Sequence, residues 1–478
     1  MSDSKTAKPV AVEKLTKATR SAGSSTHKPF PWRFTAPLLL GSTLNPINSS
    51  MLATGLVAIG VDFHTGPGPT ATLISVLYLC SAVAQPTMGK LSTLFGPRRV
   101  FVAGILILLA AGVVGTLAPG FGWLLLSRAL IGIGTSAAYP TAMALVRRRA
   151  DSLGLGVPSR VLGNFSIASQ ITAVIGLPLG GVLVQAFGWR ALFAVNLPLA
   201  VVTLVFTLVG VAKDAPVVRE QRGRLLAALD LPGILLFAGT IVTLLLYLSN
   251  LRRPVWWLLA VFVVVATALI LWERHASRPL IDIRLLGRNG PLQRTYLRQT
   301  LAALGIYTLL YGLSQWMEDA AHISPGNAGL ILIPFSAFSI VIARTVSTRG
   351  WIRWPLVIGG AAIIGSGVAL WFLSSTSSVL FMIGVSLLLG LTNGFTGFAN
   401  QACLYSQAPA DEIAVASGLY RTFAYIGAIF SSSLLGLIFP ATATDGGIHV
   451  LGWILTGLGF AVVALTLADR RIPVVAAT

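Results

Sequence analysis

The chain has 478 residues, of which 55% are hydrophobic and only 10% are charged. Soluble globular proteins carry about 25% charged residues, so this composition excludes a soluble enzyme and a soluble binding domain. Lys and Arg number 34 against 15 acids, which gives a net charge of +19. These bases lie in short segments between apolar runs, as in polytopic membrane proteins, and the distribution argues against a nucleic-acid partner.

Residues 1–33 are polar and basic, and we predict a disordered cytoplasmic tail that contacts anionic lipid. Apolar runs follow, each long enough for a membrane-spanning helix at about 1.5 Å rise per residue. The fourteen predicted spans lie at about 36–60, 70–89, 100–118, 122–146, 163–187, 191–212, 228–249, 254–272, 299–316, 327–343, 354–373, 378–404, 413–440 and 450–468.

The predicted fold class is therefore an all-α polytopic membrane protein with fourteen transmembrane helices in a 6 + 2 + 6 order. An even number of spans places both termini on one side, and the excess of Lys and Arg on that side predicts that it is cytoplasmic. The predicted units are a six-helix bundle over 34–212, linkers with two inserted helices over 213–298, a second six-helix bundle over 299–470 and a cytoplasmic tail over 471–478.

The fifth span combines an uncharged apolar run with helix-perturbing residues, namely Gly176, Pro178, Gly180 and Gly181. Glycine lets a neighbouring helix approach closely, and proline removes one backbone donor and permits a kink. We therefore expect a helix that packs tightly and bends. By itself, this pattern is also typical of a packing helix in any polytopic membrane protein.

The stretch 176–181 (GLPLGG), followed by Trp189-Arg190, Phe193, Asn196 and Pro198, resembles the fifth and sixth helices of the fourteen-helix drug:proton antiporters of the major facilitator superfamily. The resemblance implies two six-helix halves around a midplane cavity, alternating access, and export of a small amphipathic compound across the bacterial inner membrane in exchange for protons. It also implies that the glycine-rich fifth helix helps to seal the interface between the halves.

The loop between spans two and three, 89–99 (GKLSTLFGPRR), resembles the superfamily's signature loop. In the family, an aspartate at its fifth position pairs with a basic residue and a helix end and so latches the inward side. Thr93 occupies that position here, so we expect a weaker, hydrogen-bonded latch. We predict gating roles for Gly89, Thr93, Gly96, Arg98 and Arg99. The simpler interpretation is a basic loop that contacts lipid phosphate.

Span four contains Arg128 followed by Gly132 and Gly134, which resembles the family's Arg-x-x-x-Gly-x-Gly element, linked there to proton transfer. An arginine this deep is costly and normally faces a cavity or a partner, although one near a helix end can reach the surface.

Asn48 stands in span one where the family usually has an aspartate. It cannot titrate and can only form hydrogen bonds.

Proton coupling needs a group that changes protonation during the cycle, and carboxylates within spans usually serve. The acids here lie at helix ends: Asp62, Asp230, Glu273, Glu318 and Asp319. Each is compatible with a solvated helix-end charge. Glu318 and Asp319 are the first candidates for coupling, because adjacent acids near an apolar cavity raise each other's apparent pKa.

Polar residues inside the spans are candidates for the substrate cavity, although some will form only inter-helix hydrogen bonds. With Arg128 and Arg421 in spans and no firmly intramembrane acid, the cavity is not suited to cations and is more compatible with an anionic or lipid-like substrate. The candidates are Asn45, Asn48, Tyr78, Gln85, Tyr139, Asn164, Gln170, Tyr307, Tyr311, Gln315, Trp316, Asn393, Asn400 and Tyr425.

No nucleotide-binding loop, metal-ligand spacing or catalytic triad pattern occurs in the sequence. We therefore expect a monomer that is not an enzyme, binds no cofactor or metal, uses the proton gradient if it is coupled, and has a small-molecule substrate and the lipid bilayer as partners. Two alternatives stay open: a proton-independent facilitator or uptake carrier, and a non-transporting membrane sensor with the same fold.

Overall fold

The computed structural model describes residues 29–65, 67–215, 230–249, 253–277, 279–323, 325–439 and 442–475. Most of the predicted tail at 1–33 and much of the first linker lie outside these ranges. The side chains of two predicted site residues, Gln170 and Pro178, also lie outside the described part of the molecule.

The described residues form helices connected by short loops. In chain order they are α1 (Trp32–Ala53), α2 (Leu56–Asp62), α3 (Pro67–Phe95), α4 (Pro97–Thr116), α5 (Phe121–Ser136), α6 (Ala138–Ser152), α7 (Ser159–Phe187), α8 (Ala191–Ala194), α9 (Asn196–Gly210), α10 (Leu231–Ser249), α11 (Trp256–His275), α12 (Ile283–Arg288), α13 (Gly290–Asp319), α14 (Pro325–Arg349), α15 (Arg353–Trp371), α16 (Val379–Gln407), α17 (Ile413–Ile438) and α18 (Asp445–Ala468).

Each predicted apolar run coincides with one helix or with a helix broken into two consecutive pieces, which confirms the all-helical class. Two of the pieces that follow a break contain a proline near their start, Pro140 in α6 and Pro198 in α9, because proline cannot donate to the preceding turn. Within the described ranges, eleven helices are long and apolar enough to cross a membrane. The count of fourteen spans stays a prediction.

Helices α1–α9 and α13–α18 pack as two groups, which we call the first and second halves. In the first half α1 packs on α7, α4 on α5, and α3 on α5. In the second half α15 packs on α18, α14 on α16, and α13 on α17. The inserted helices α10 and α11 pack on each other, and α10 also contacts α3 and α17, one helix from each half.

Both described chain ends lie at one end of the bundle, which we call the terminal face. Arg149, near the end of α6, donates from Nε to the carbonyl of Pro29 at 2.6 Å. Ile352, between α14 and α15, donates its backbone N–H to Val474 at 3.0 Å. Gly163 near the start of α7 lies against Ser347 near the end of α14, so these segments share one face.

Helix α13 begins earlier than the predicted span at 299, and this corrects the boundary of the second half. Asn289 accepts from the Leu292 N–H at 3.2 Å as an N-cap, and Pro291 occupies the first turn. These two signals start the helix at Gly290, about two turns before the hydropathy rises. Arg298, predicted in a linker, is consequently fully buried inside the bundle.

Candidate functional site

The two halves meet most closely where α3 crosses α17, near the terminal face. A Cβ on Gly89 would lie 2.6 Å from the carbonyl oxygen of Ala414, and one on Gly418 would lie 2.6 Å from that of Gln85. Real Cβ atoms do not approach backbone so closely, so only glycine fits at either position. Two helices of different halves are therefore in backbone contact here.

Hydrogen bonds join the halves at the same level. Thr422 on α17 donates to the carbonyl of Ala82 on α3 at 2.7 Å. Tyr405 on α16 donates to the carbonyl of Met143 on α6 at 2.8 Å. Together with the α3–α17 crossing, these bonds form what we call the seam, and they close the terminal half of the interface between the two halves.

A layer of polar side chains lies next to the seam, on the side away from the terminal face. Tyr425 of the second half donates to Oδ1 of Asn45 at 3.1 Å and accepts from Nε2 of Gln85 at 3.0 Å. The Tyr425 and Tyr78 ring centroids are 5.6 Å apart. Three predicted cavity residues of the first half thus converge on one tyrosine of the second.

Two further tyrosines continue this layer along α13 towards the opposite face. The Tyr307 and Tyr311 rings are stacked with centroids 5.7 Å apart. Both lie near Tyr78 of the other half, yet Tyr311 is 40% exposed. Because Tyr311 lies near the other half and is still exposed, we infer that it borders open space between the halves. We call Tyr78, Tyr307, Tyr311 and Tyr425 the tyrosine cluster.

Arg128 lies behind this cluster and is fully buried, at 1% exposure, so it does not reach a helix end. Its Nε donates to the carbonyl of Leu73 at 3.0 Å and one terminal nitrogen to that of Asn48 at 3.3 Å. Its second terminal nitrogen has no hydrogen-bond partner. The guanidinium therefore joins α1, α3 and α5 without a neutralising acid among its described contacts.

Arg421 lies at the level of the seam and is half-buried. Its guanidinium carbon is 4.1 Å from the centroid of the Tyr139 ring, a cation–π contact between the two halves. Arg421 also interacts electrostatically with Tyr307 and Tyr425. Its Nε has no hydrogen-bond partner, and it is in none of the ion pairs found among the described residues.

Asn48 is only 2% exposed and does not face the open space. It donates through Nδ2 to Oδ1 of Asn196 at 2.7 Å and to the carbonyl of Leu44 at 2.8 Å. Asn196 belongs to the Trp-Arg-Phe-Asn-Pro sequence, and the same sequence holds Asp62: Trp189 donates to its carboxylate at 2.9 Å and Arg190 pairs with it at 3.3 Å. This motif therefore anchors α1 and α2 to α8 and α9.

The signature loop obtains an acid from a different part of the chain. Asp214, which follows α9, accepts from the backbone N–H of Arg99 at 2.9 Å and pairs with Arg148 at 3.2 Å. Gly96 has a φ of +97°, and a Cβ there would lie 2.5 Å from the Asp214 carboxyl carbon. Thr93 bonds only to the carbonyl of Lys90, and Arg98 donates to that of Leu208 at 3.1 Å. Asp214 thus caps α4 within the first half.

A cavity of about 310 Å³ opens at the terminal face between the signature loop and the start of α17. Its polar lining comprises Lys90 and Thr93 from the first half and Asp282, Asp411 and Glu412. Burial raises the pKa of the Glu412 carboxyl, Asp282 and Asp411 raise it further, and Lys90 opposes them. The cation of this cavity, Lys90, therefore belongs to the first half. Its acids lie just before α12 (Asp282) and just before α17 (Asp411 and Glu412).

The glycines of the fifth span pack within the first half rather than at the interface. A Cβ on Gly180 would lie 2.6 Å from the Met51 carbonyl oxygen, and one on Gly176 would lie 2.5 Å from Ser50 Cβ, both on α1. Gly181 has nothing within 4 Å. Gly176 and Gly180 therefore do not themselves seal the interface, but the helix that carries them does contact α14 and α16 of the second half. It does so near Gly163 and Ser166, and Ser166 lies 2.9 Å from the Cβ position of Gly397.

The remaining predicted residues lie at three places in the molecule. Glu318 and Asp319 are exposed at the end of α13, where Asp319 accepts from the Ala443 N–H at 2.8 Å. Trp316 is buried in the second half and donates to Asp445 at 2.9 Å. Gln315 and Asn164 are exposed, whereas Asn393 is half-buried. Four of these six residues are therefore neighbours at the end of α13, whereas Asn164 lies on α7 and Asn393 on α16.

Three charged residues that were not predicted as site residues are buried, namely Arg298, Glu273 and Asp469. Arg298 is fully buried and donates to Oδ1 of Asn400 at 2.8 Å and to Thr295 at 2.9 Å. The Asn-Gly-Pro helix start before it was the available signal. Glu273 is only 1% exposed, so its interpretation as a solvated helix-end charge is wrong: α10 and the loop after α11 cover it. The described residues contain no cluster that could hold a metal ion.

These features define a class of protein: a multi-pass helical membrane transporter with two halves, one sealed seam and polar residues between the halves. The Major Facilitator Superfamily profile matches residues 38–432, and the chain belongs to that family. Its members are transporters, not enzymes, and bind small-molecule substrates in a membrane.

Individual relatives agree with this assignment. The chain is 31% identical to the uncharacterized MFS-type transporter YwoD of Bacillus subtilis, over 88% of this chain and 93% of that protein. It is 27% identical to a lincomycin resistance protein of Streptomyces lincolnensis, over 95% of each chain. Among solved structures, the proton:xylose symporter XylE is similar with a TM-score of 0.65 at 13% identity, covering 93% of this chain and 96% of that one.

Proposed function

We propose that this protein exports a small amphipathic compound across the bacterial inner membrane by alternating access, with both termini in the cytoplasm. The observation that carries the proposal is the seam, which closes one half of the interface while the tyrosine cluster borders open space on the other. If the terminal face is cytoplasmic, as the excess of basic residues there favours, the structure corresponds to an outward-facing state. Drug-resistance relatives such as the lincomycin resistance protein support export.

The experiment is uptake into inverted membrane vesicles that contain the full-length chain. We expect uptake of at least one of lincomycin, ethidium and naphthalene-2-sulfonate above that of vesicles with Gly89→Val, a variant that keeps the seam from closing. No uptake of any of the three, together with no thermal stabilisation of the purified protein by any of them, would contradict the proposal.

Proton coupling is a separate part of the proposal, and a proton-independent carrier is the second candidate. Two observations favour that candidate: Asn48 and Thr93 stand at positions where the family has acids, and Glu318 and Asp319 are exposed. Collapsing the pH gradient across the same vesicles separates the two. Uptake that stops supports antiport, and uptake that continues unchanged supports the proton-independent carrier.

A further inference from the structure

We propose that the substrate is an organic anion, an aromatic or similarly apolar body with a single negative charge, and that Arg421 binds that charge beside the tyrosine cluster. This inference rests on the proposed transport function and names the chemical class of the substrate.

The charges inside the described part of the bundle include three arginines without an ion-pair partner, whereas of the two buried acids, Glu273 and Asp469, the latter pairs with Arg294. Arg128 and Arg298 are fully buried, and Arg421 is half-buried between the halves. Within the described ranges none of the three forms an ion pair with an acid, and the four ion pairs found there involve other residues. A buried cation without a counter-charge is unfavourable, and an anion that enters its surroundings offsets that cost.

Two of these charges act on the tyrosine cluster. Arg128 interacts electrostatically with Tyr78. Arg421 interacts with Tyr307 and Tyr425. Each unit charge contributes a positive potential that a low-dielectric surrounding screens weakly. The space that the cluster borders is therefore positive, which favours anions and disfavours cations.

Arg421 is held in place by the ring and hydroxyl of Tyr139, but its hydrogen-bonding capacity is only partly used. Its planar face covers the Tyr139 ring at 4.1 Å, so the guanidinium cannot turn freely, and only its in-plane N–H groups are left for an acceptor. Its Nε has no hydrogen-bond partner. A carboxylate or sulfonate is the natural acceptor for in-plane guanidinium donors, because both donor and acceptor then carry charge.

The tyrosine cluster supplies a surface for the rest of the molecule. Ring faces of Tyr78 and Tyr425, and of Tyr307 and Tyr311, are close enough for an aromatic body to pack against them. Gln85, which is buried, has an Oε1 atom without a partner and offers one acceptor to a donor on the substrate. Of the three guanidinium groups, only that of Arg421 is not fully buried. A substrate can therefore reach one positive charge, which matches one negative charge on the substrate.

The test compares three naphthalene probes of nearly equal size: naphthalene-2-sulfonate, neutral naphthalene-2-sulfonamide and cationic naphthalen-2-ylmethylammonium. Calorimetric binding to the purified full-length protein and counterflow in proteoliposomes are measured for each. We expect the sulfonate to bind at least about tenfold more tightly than the other two and to exchange in counterflow. Arg421→Gln should remove this preference, Arg421→Lys should keep part of it, and Tyr139→Phe should keep it because the ring remains.

The control variant is Arg349→Gln, which removes an equal charge at the terminal face, where Arg349 stacks on Trp351 at 4.6 Å. It should leave the preference for the sulfonate unchanged. Loss of binding in Arg421→Gln counts only if the variant retains its size-exclusion profile and its binding of the sulfonamide within about twofold of the wild-type value.

The inference falls if the sulfonamide or the ammonium compound binds as tightly as the sulfonate, or if Arg421→Gln weakens all three equally. It also falls if lincomycin or ethidium is transported and the sulfonate is neither bound nor exchanged; the proposed transport function then stands. If none of the compounds is bound or transported, both proposals fail.

Discussion

The two ends of the interface between the halves are built differently. At the terminal end, backbone lies on backbone at Gly89 and Gly418, and buried hydroxyls of Thr422 and Tyr405 donate to carbonyls of the other half. Farther from that face, the contacts between the described parts of the halves include the side-chain rings and amides of the tyrosine layer. Because the seam combines backbone contact at two glycines with a few hydrogen bonds, we expect it to separate and re-form as a unit.

The largest expected effect comes from preventing this seam from closing. Gly89→Val places a side chain where the Ala414 oxygen lies 2.6 Å from the Cβ position and Val415 Cα lies 2.8 Å from it. Displacing backbone by this amount costs about 3 kcal/mol, or roughly 100-fold in the population of the closed form. We expect counterflow to fall by a similar factor while the protein still folds, as measured in proteoliposomes and by size-exclusion chromatography.

Gly181→Val is the matched control for that variant, since nothing lies within 4 Å of its Cβ position. It should transport at the wild-type rate. Equal losses in both variants would mean that transport does not depend on closing the seam.

Packing inside one half should respond differently from packing between halves. Gly180→Leu drives a side chain into the Met51 carbonyl of α1 and into Thr54, the residue after α1, and these belong to the same half and do not separate from α7 during rocking. We therefore expect a loss of about 1–3 kcal/mol in the stability of the first half, measured as a lower midpoint of thermal unfolding. Gly181→Leu, one residue on, should unfold at the wild-type temperature. If Gly180→Leu left stability intact and changed only transport, the glycine would belong to the moving interface.

Single hydrogen bonds of the seam should have smaller effects. Tyr405→Phe removes the bond to the Met143 carbonyl, and Thr422→Val removes the bond to the Ala82 carbonyl. Each should shift the equilibrium between closed and open terminal faces by about 0.5–1.5 kcal/mol towards the open form. Spin-label distances across the terminal face measure that equilibrium. Ser374→Ala, which alters hydroxyl contacts in the loop before α16, is a control that should leave the distances unchanged.

The smallest effect concerns pH. Burial and the neighbours Asp282 and Asp411 raise the pKa of the Glu412 carboxyl in the closed arrangement. Opening returns the group to water, where its pKa is about 4.3, so opening releases a proton. The closed form is therefore favoured at low pH. It loses stability relative to the open form as the pH rises from the pKa of Glu412 in the open form through its raised pKa in the closed form. Glu412→Gln should remove this dependence, measured by the same spin-label distances as a function of pH. A variant that keeps the full dependence would place the titrating group elsewhere.

Sequence patterns predicted the helices well because a bilayer imposes one strong rule, about 20 apolar residues for each span. The Trp-Arg-Phe-Asn-Pro stretch and the glycine-rich fifth span were correctly recognised as features of the major facilitator superfamily, which the family match confirms. Hydropathy placed the start of α13 too late, because Arg294 and Arg298 lower the average in a segment whose caps, Asn289 and Pro291, already begin the helix.

The roles of individual polar residues could not be read from the sequence. Asn48 looked like a cavity residue, yet its partner is Asn196, which lies 148 positions away. Thr93 indicated a lost acid, yet Asp214, from beyond α9, lies against the same loop. The sequence did not show which surface the glycines of the fifth span face, yet Gly176 and Gly180 pack on α1 of their own half.

Composition and periodicity by themselves determined that this chain crosses a membrane repeatedly as helices, since apolar runs without charges have no other stable arrangement there. Only the tertiary structure decided which glycines meet backbone, which arginines have no counter-charge and which tyrosines border open space. Those properties depend on helices that are distant in the chain and adjacent in the fold, and no local pattern encodes that adjacency.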